Sequence, residues 1–346
     1  MTYIVGDKIA VVQGTGHKIG IKHSDLTSGS IIIAGAKDRG GITSRLCKSA
    51  DSGESFGYIY NPLSRLVDLY KLGNGKMLAS SSLGISLTTN YGDYWSVKSV
   101  PFRGGNFQTF EDGTIITPGR DENGRLSKSV DGGYTWTSLG EDLVPGSDHT
   151  SCVSHCVSYL GDGVCVAGVG RSGGPAATDA AVYKSTDYGA TWTFQAKLSG
   201  EMGYIYPFRT CYLGNNIILM STANETAYSV YGVYRSTDGG STWSGGIVYD
   251  PGAFYLNMGD GVVYSGGRYA LYRSDNYGET WNNIFSISTG VSSMTQIGDS
   301  STFLIGTTEG GHIYKSTDNC STWRITQNLL NVKDYCEQVL CLSELT

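Results

Sequence analysis

Ser185-Thr186-Asp187-Tyr188-Gly189-Ala190-Thr191-Trp192 is the stretch that decides the fold, because the chain repeats its pattern seven times. Two further clear copies are Ser129-Val130-Asp131-Gly132-Gly133-Tyr134-Thr135-Trp136 and Ser236-Thr237-Asp238-Gly239-Gly240-Ser241-Thr242-Trp243. Ser49 to Phe56, with Asp51, and Ser274 to Trp281, with Asn276 for the acid, follow the same plan. Ser316 to Trp323 keeps Asp318 but has Cys320 where the other copies have Gly, and Thr88 to Trp95 carries Asn90 and Tyr94 at two of the polar positions. The closing aromatics Phe56, Trp95, Trp136, Trp192, Trp243, Trp281 and Trp323 stand 39, 41, 56, 51, 38 and 42 residues apart and include all six tryptophans. One aromatic position thus recurs along the whole chain, the signature of a tandem architecture.

Physical chemistry explains why these residue types recur together. An Asp or Asn oxygen accepts hydrogen bonds from backbone N–H groups across a tight turn. Gly supplies the positive φ such a turn needs. Ser and Thr hydroxyls satisfy further backbone groups, and the aromatic closes the repeat by packing into the seam with a neighbour. A buried Trp removes about 150–250 Å² from water, worth several kcal/mol at about 25 cal/mol/Å². The turn is therefore read as packing hardware without chemistry.

A strand leads into each turn, as in Val182-Tyr183-Lys184-Ser185 and Ile313-Tyr314-Lys315-Ser316. Short apolar strands precede it, such as Ile217-Ile218-Leu219-Met220, and another strand follows the Trp. Four strands per unit of about 40–50 residues make a propeller blade. The expected fold is all-β: one seven-bladed β-propeller over 1–346, with four-stranded antiparallel blades. The segment 331–346 is expected to close the ring as a strand with N-terminal residues, a short helix being the other reading. Residues 3–24 hold more strand pattern than the first blade needs.

The motif S-x-D-x-G-x-[ST]-W is the Asp box, and its arrangement resembles the sialidase-like, BNR-repeat propellers over nearly the whole chain. Stand-alone Asp-box propellers of this Ser/Thr/Gly/Tyr-rich kind resemble phage virion components and photosystem II assembly-factor propellers, the latter seven-bladed with an arginine-rich face.

Composition narrows the function classes. A formal net charge of -6 gives no general attraction to nucleic acid or anionic membrane. No basic, then apolar, leader opens the chain, and no apolar run reaches the roughly 18 residues needed to span a bilayer. The expectation is a protein made in the cytosol without membrane insertion, with incorporation into a virion as the resemblance implies. Eight scattered cysteines do not make a disulfide-stapled mini-fold.

The resemblance further implies that the box turns share one face and that ligands meet the opposite face, built from the 2–3 loops and the 4–1 connections. On this sequence that face collects Arg39, Arg120, Arg125, Arg171 and Arg268 on loops, and Arg65, Arg103 and Arg209 where innermost strands begin. These are eight of the twelve arginines. Arg grips carboxylates and phosphates bidentately, so a protein partner or an anionic glycan is the expected ligand, with Tyr206 and Phe208 among the nearby aromatics. The opposing reading pairs the arginines with Asp38, Asp121, Glu122 and Asp179 in solvated loops.

A sialidase is the rival. Its Phe/Tyr-Arg-Ile-Pro segment has no match before Ser49; Phe102-Arg103-Gly104 and Phe208-Arg209-Thr210 are partial echoes. Glu225, Glu309 and Asp38 are the carboxylates such an enzyme would draw on. No cofactor and no metal are expected. His149, Cys152, His155 and Cys156 have metal-like spacing, but on a strand Cys152 and Cys156 lie about 13 Å apart while His155 faces the other way. The sequons at Asn224 and Asn319 matter only in a secreted chain. The expected function is non-enzymatic recognition or assembly; the alternative is a sialidase-like glycoside hydrolase acting on anionic glycans.

Overall fold

The computed structural model describes residues 2–5, 8–11, 31–37, 44–59, 66–81, 84–98, 105–118, 126–139, 152–171, 180–198, 205–224, 230–246, 251–298, 301–308, 311–328 and 335–343. These form seven four-stranded antiparallel sheets and one two-stranded hairpin, Thr2–Val5 with Lys8–Val11. From first strand to fourth, the first sheet runs Tyr335–Ser343, Ile31–Lys37, Ser44–Ser49 and Gly57–Ile59. The second runs Leu66–Gly73, Lys76–Ser81, Gly84–Thr88 and Ser96–Lys98, and the third Gln108–Thr109, Ile115–Pro118, Leu126–Ser129 and Thr137–Ser138. The fourth runs Cys152–Gly161, Val164–Arg171, Ala180–Ser185 and Thr193–Leu198. The fifth runs Ile205–Gly214, Ile217–Asn224, Val230–Ser236 and Ser244–Gly245. The sixth runs Tyr255–Gly259, Val262–Gly266, Ala270–Ser274 and Asn282–Ser286, and the seventh Val291–Gln296, Phe303–Thr307, His312–Ser316 and Arg324–Asn328.

First strands of neighbouring sheets touch, as where Ser158 Oγ donates to Thr210 Oγ1 at 3.2 Å, so they line the axis. Fourth strands lie at the rim, where Tyr58, Val97, Phe194 and Ile325 are exposed. The chain is a β-propeller of four-stranded antiparallel blades. Its C-terminal segment is a strand, not a helix: Tyr335–Ser343 pairs with Ile31–Lys37, so one sheet joins both ends of the chain.

The Ser–Asp–Gly–Trp turns all sit between third and fourth strands. In the fifth sheet, Ser236 Oγ donates to Asp238 Oδ1 (2.8 Å) and accepts from Gly240 N (2.8 Å). Asp238 Oδ1 accepts from Thr242 N (2.9 Å), and Oδ2 from Thr242 Oγ1 (2.5 Å). The same pattern recurs about Asp51, Asp131, Asp187 and Asp318. Asn90 and Asn276 keep the Oδ1 bonds, to Tyr94 N at 3.0 Å and Thr280 N at 2.9 Å. For Asp131 and Asp238, burial pushes the carboxyl up but these hydrogen bonds outweigh it, leaving each at about 2; the hydroxyl of Thr322 leads in holding Asp318 at about 2.

Three of these turns also fit closely against the preceding sheet. A Cβ on Gly133, Gly240 or Gly278 would come within 2.8, 2.7 and 2.7 Å of Leu78, Val166 and Leu219 in the preceding sheet. Each of these glycines also has positive φ, so the position demands glycine on both counts. The aromatics fill the same seams. Trp95 packs with Leu46 of the first sheet and Met77 of the second; Trp136 packs between Leu78 and Phe107; Trp192, Trp243, Trp281 and Trp323 occupy the four seams that follow. Phe56, Trp95 and Trp136 are buried, while the other four are half-buried, their outer edges reaching the rim.

Candidate functional site

With the third-to-fourth turns and the first-to-second turns at one end of the sheets, the second-to-third turns and the fourth-to-first connections lie at the other. Much of that second end falls outside the described residues. So do Arg39, Arg65, Arg103, Arg120 and Arg125, their proposed partners Asp38, Asp121, Glu122 and Asp179, and Glu225 and Glu309. Arg171 ends the strand Val164–Arg171 opposite Cys152, and only its backbone is described. His149 is outside the described residues, while Cys152, His155 and Cys156 share one strand. Burial pushes the Cys156 thiol up to about 12, against a weaker pull from the Arg209 charge, which suits a core thiol rather than a ligand. Among the described residues no group of three or more His, Cys, Asp or Glu side chains could hold a metal ion, and no helix is long and apolar enough to cross a membrane.

Arg209, Tyr206, Phe208 and Arg268 are described, and all four stand at this second end. The sequence expectation put Pro207-Phe208-Arg209 in a connection ending where the strand begins. Instead these residues lie inside the strand Ile205–Gly214. Pro207 is tolerated there because a first strand is a sheet edge and a bulge follows it: Pro207 pairs with Thr222 and Arg209 with Ser221, leaving Phe208 as the extra residue. The Arg209 guanidinium lies over the Phe208 ring, 4.9 Å from its centroid. Arg209 is half-buried, and among the described residues no carboxylate pairs with it.

One-residue bulges recur near the start of the first strands of four other sheets, and the residues following them are Asp68, Cys156, Ser293 and Gln338. Only the fifth sheet places a cation there. In the sixth sheet the strand Tyr255–Gly259 begins just past that position, and before it Gly252 N and Ala253 N both donate to Gly266 O, the two-against-one pattern of a bulge.

Between the fifth and sixth sheets the backbone of Pro251–Phe254 is pinned on both sides. Ser221 Oγ donates to Gly252 O (2.7 Å), and Gly252 N donates to Ser265 Oγ (2.8 Å). Gly252 N and Ala253 N both reach Gly266 O at 3.0 Å, and Ser265 Oγ donates to Phe254 O at 2.7 Å. Two residues beyond Gly266 comes Arg268, exposed in a tight turn that Gly267 N closes onto Ala270 O (2.9 Å), with its guanidinium 5.2 Å from the Tyr269 ring centroid. Sequence reasoning named the arginines but not this floor. Nothing local marks Ser221 and Ser265 as its brackets.

No family model matches the chain. Over 243 residues it is 25% identical to a xyloglucanase of Paenibacillus sp, a match covering 66% of this chain and 20% of that protein. The chain thus spans about one fifth of the length of this curated relative. Among solved structures, YCF48 from Cyanidioschyzon merolae aligns with a TM-score of 0.54 at 15% identity, over 77% of this chain and 87% of its own. YCF48 bound to D1 peptide aligns at 0.52 and 16% identity, over 75% and 80% of the two chains. The GH74 xyloglucanase from Xanthomonas campestris aligns at 0.51 and 13% identity, over 82% and 56%. At these identities the structural likenesses establish the β-propeller fold and nothing finer.

Proposed function

We propose that this chain is a non-enzymatic recognition or assembly propeller whose second end binds a protein or glycan partner. In this reading the seven sheets are seven blades of Asp-box type. The observation that carries it is a division of labour between the two ends. At one end the Asp, Ser and Thr groups of the turns are consumed in hydrogen bonds to their own backbone. At the other, Arg209 and Arg268 stand half-exposed and exposed on aromatic rings. A neighbour in fold, YCF48, has been solved with a D1 peptide, which supports a protein partner.

Copurification from the native source tests this reading. A defined protein partner, retained by the wild type and lost on substituting loop-end arginines, is the expected result. Recovery of the chain alone, with no retained glycan, would count against it.

The second reading is a glycoside hydrolase of sialidase-like type acting on anionic glycans; the sequence match to a xyloglucanase leaves a hydrolase open. Incubation with a fluorogenic sialoside, and separately with xyloglucan, decides between the two. Turnover abolished by Arg209→Ala would establish the hydrolase and displace the recognition reading.

A further inference from the structure

We infer that the end carrying the Ser–Asp–Gly–Trp turns holds two seats for side-chain carboxylates of an acidic polypeptide segment. Lys184 supplies the cation at the seam of the fourth and fifth sheets, and Lys128 at the seam of the third and fourth. This surface lies at the opposite end from the one in the recognition reading and goes beyond it.

The ring itself shows what such a seat takes. At two seams the residue before a turn's Ser bonds the residue three past the Asp or Asn of the next turn. Lys48 Nζ donates to Asp93 Oδ1 at 2.5 Å, and Lys315 Nζ to Glu54 Oε1 at 2.7 Å. Lys315 Nζ also donates to the carbonyl of Ser52, the residue just past the Asp. Lys184 holds the same register, pairing with Thr193 as Lys315 pairs with Arg324. Its Nζ lies 3.3 Å from where a Cβ on Gly239 would stand, and Gly239 is the counterpart of Ser52. The counterpart of Glu54 is Ser241, exposed, with its hydroxyl donating to Asp238 O of its own turn at 3.4 Å. Lys184 thus reaches the next turn as Lys315 does, and the acid is missing. Lys128 pairs with Thr137 in the same register, and the next turn has Ala190 in the acid's place. Both lysines are half-buried, and among the described residues neither has a hydrogen bond or an ion pair. The other cations at this position are engaged: Arg235 by Tyr277 O and Arg273 by Asp275 of its own sheet, while the second sheet has Leu87 there.

A carboxylate arriving where Glu54 and Asp93 stand at their own seams gives each lysine the charge-assisted bond the ring uses elsewhere. The surroundings choose the carrier of that carboxylate. Val130, two residues after Lys128, is 73% exposed where the other turns have Ala, Thr or Asp, and Tyr134 and Tyr188 are exposed on the same two turns. Apolar surface beside the cations suits the methylenes and apolar side chains of a polypeptide rather than the hydroxyls of a sugar. Asp131, Asp187 and Asp238 stay ionised on these turns, each with a lowered carboxyl pKa. Those negative charges repel the dense phosphates of a nucleic acid, whereas a polypeptide can space its acids to meet the lysines alone.

Fluorescence anisotropy of a fluorescein-labelled hexapeptide of alternating Glu and Leu with the full chain tests this. The variants are Lys184→Gln, Lys128→Gln, Ser241→Glu and, as a control, Lys71→Gln, an exposed lysine at the same end outside the clasp position. Binding should weaken about three- to ten-fold with either seat lysine replaced, fall with added salt, and stay within about two-fold for the control. Neither lysine has a partner in the ring to lose, so both Gln variants should keep the wild-type urea midpoint. Ser241→Glu offers Lys184 the acid found at Glu54, so it should weaken peptide binding as Lys184→Gln does while raising the urea midpoint. Peptide affinity unchanged in both lysine variants overturns the seats. Ser241→Glu that moves neither affinity nor midpoint overturns the placement at the fourth and fifth sheets. Tighter binding of polygalacturonate or single-stranded DNA, with the same dependence on the two lysines, overturns the choice of polypeptide. Failure of all three probes to bind overturns the seats, and leaves the recognition reading at the other end untouched.

Discussion

Lys315 Nζ donates to Glu54 Oε1 at 2.7 Å, and the two residues, 261 positions apart, join the seventh sheet to the first. The same ammonium donates to Ser52 O at 2.7 Å, and Arg324 reaches the Glu54 carboxylate beside it. Lys315 occupies the position immediately before the turn's Ser, and that position sends a cation forward elsewhere. Lys48 reaches Asp93 of the second sheet at 2.5 Å, and Arg235 Nε donates to Tyr277 O of the sixth at 2.9 Å. In the first, fifth and seventh sheets a cation before the turn thus clasps the turn of the next sheet.

The clasp has an asymmetry that mutation exposes. The Lys315 side chain is buried, whereas that of Glu54 is 46% exposed. Lys315→Met should cost about 1–3 kcal/mol, because it strips the Ser52 carbonyl of a charged donor. Glu54→Ala should cost less than about 1 kcal/mol, as exposed ion pairs do. Denaturant unfolding of the two variants checks this; equal losses would place the clasp's strength in the ion pair instead.

Within a turn, the acid matters as an acceptor more than as a charge. Asp238→Ala removes the acceptor for the N–H groups of Ser241 and Thr242 and for the Thr242 hydroxyl, and should cost about 1–2 kcal/mol, the range of comparable capping residues. Asp238→Asn should cost less than half of that. Asn276 already shows how: its Oδ1 accepts from Thr280 N while its Nδ2 donates to Thr280 Oγ1, reversing one bond and keeping the turn. Thermal melting of the two variants distinguishes acceptor from charge.

The carboxylates of the turns give stability a pH dependence of definite sign. Asp131, Asp238 and Asp318 are held at about 2 against an ordinary 3.8, and Asp51 and Asp187 are also lowered. A folded-state value below the unfolded one means that the unfolded chain binds protons first as pH falls. The stabilisation is complete above about pH 4 and disappears between about 4 and 2. The urea midpoint should therefore hold steady from pH 7 to 5 and then decline toward 2. Replacing the three acids with Asn should flatten that decline.

How much of this could be read from the sequence depended on whether a residue's role was local. The Ser–Asp–Gly–Trp turn is satisfied within eight residues, so its spacing alone exposed both strand and turn. The ring's clasp was not legible, since Lys315 and Glu54 are ordinary charges until the fold brings the ends together. Arg209 was found by its residue type yet misplaced, because Pro207 read as a connection and the bulge that admits it depends on pairing with Ile217–Asn224. The Pro251–Phe254 floor was missed for the same reason: its brackets, Ser221 and Ser265, come from two different sheets.

The aromatic position offers a matched pair for the last prediction. Trp243 Nε1 donates to Gly240 O at 3.0 Å, and Trp95, Trp136 and Trp192 make the equivalent bond. Trp323 differs from these four: its Nε1 is buried with no partner among the described residues. Three positions upstream of it, Cys320 replaces Gly. Its φ is 68°, against 76–90° for the glycines of the other six turns, and its buried thiol packs beside Tyr264 of the sixth sheet. Replacing either Trp by Phe loses similar ring area, so the difference between the two substitutions reports the hydrogen bond. Trp243→Phe should be more destabilising than Trp323→Phe by about 1–2 kcal/mol, since the first leaves the Gly240 carbonyl unpaired and the second removes a donor that had no acceptor. Equal losses by denaturant unfolding would show that the indole N–H contributes nothing at either seam.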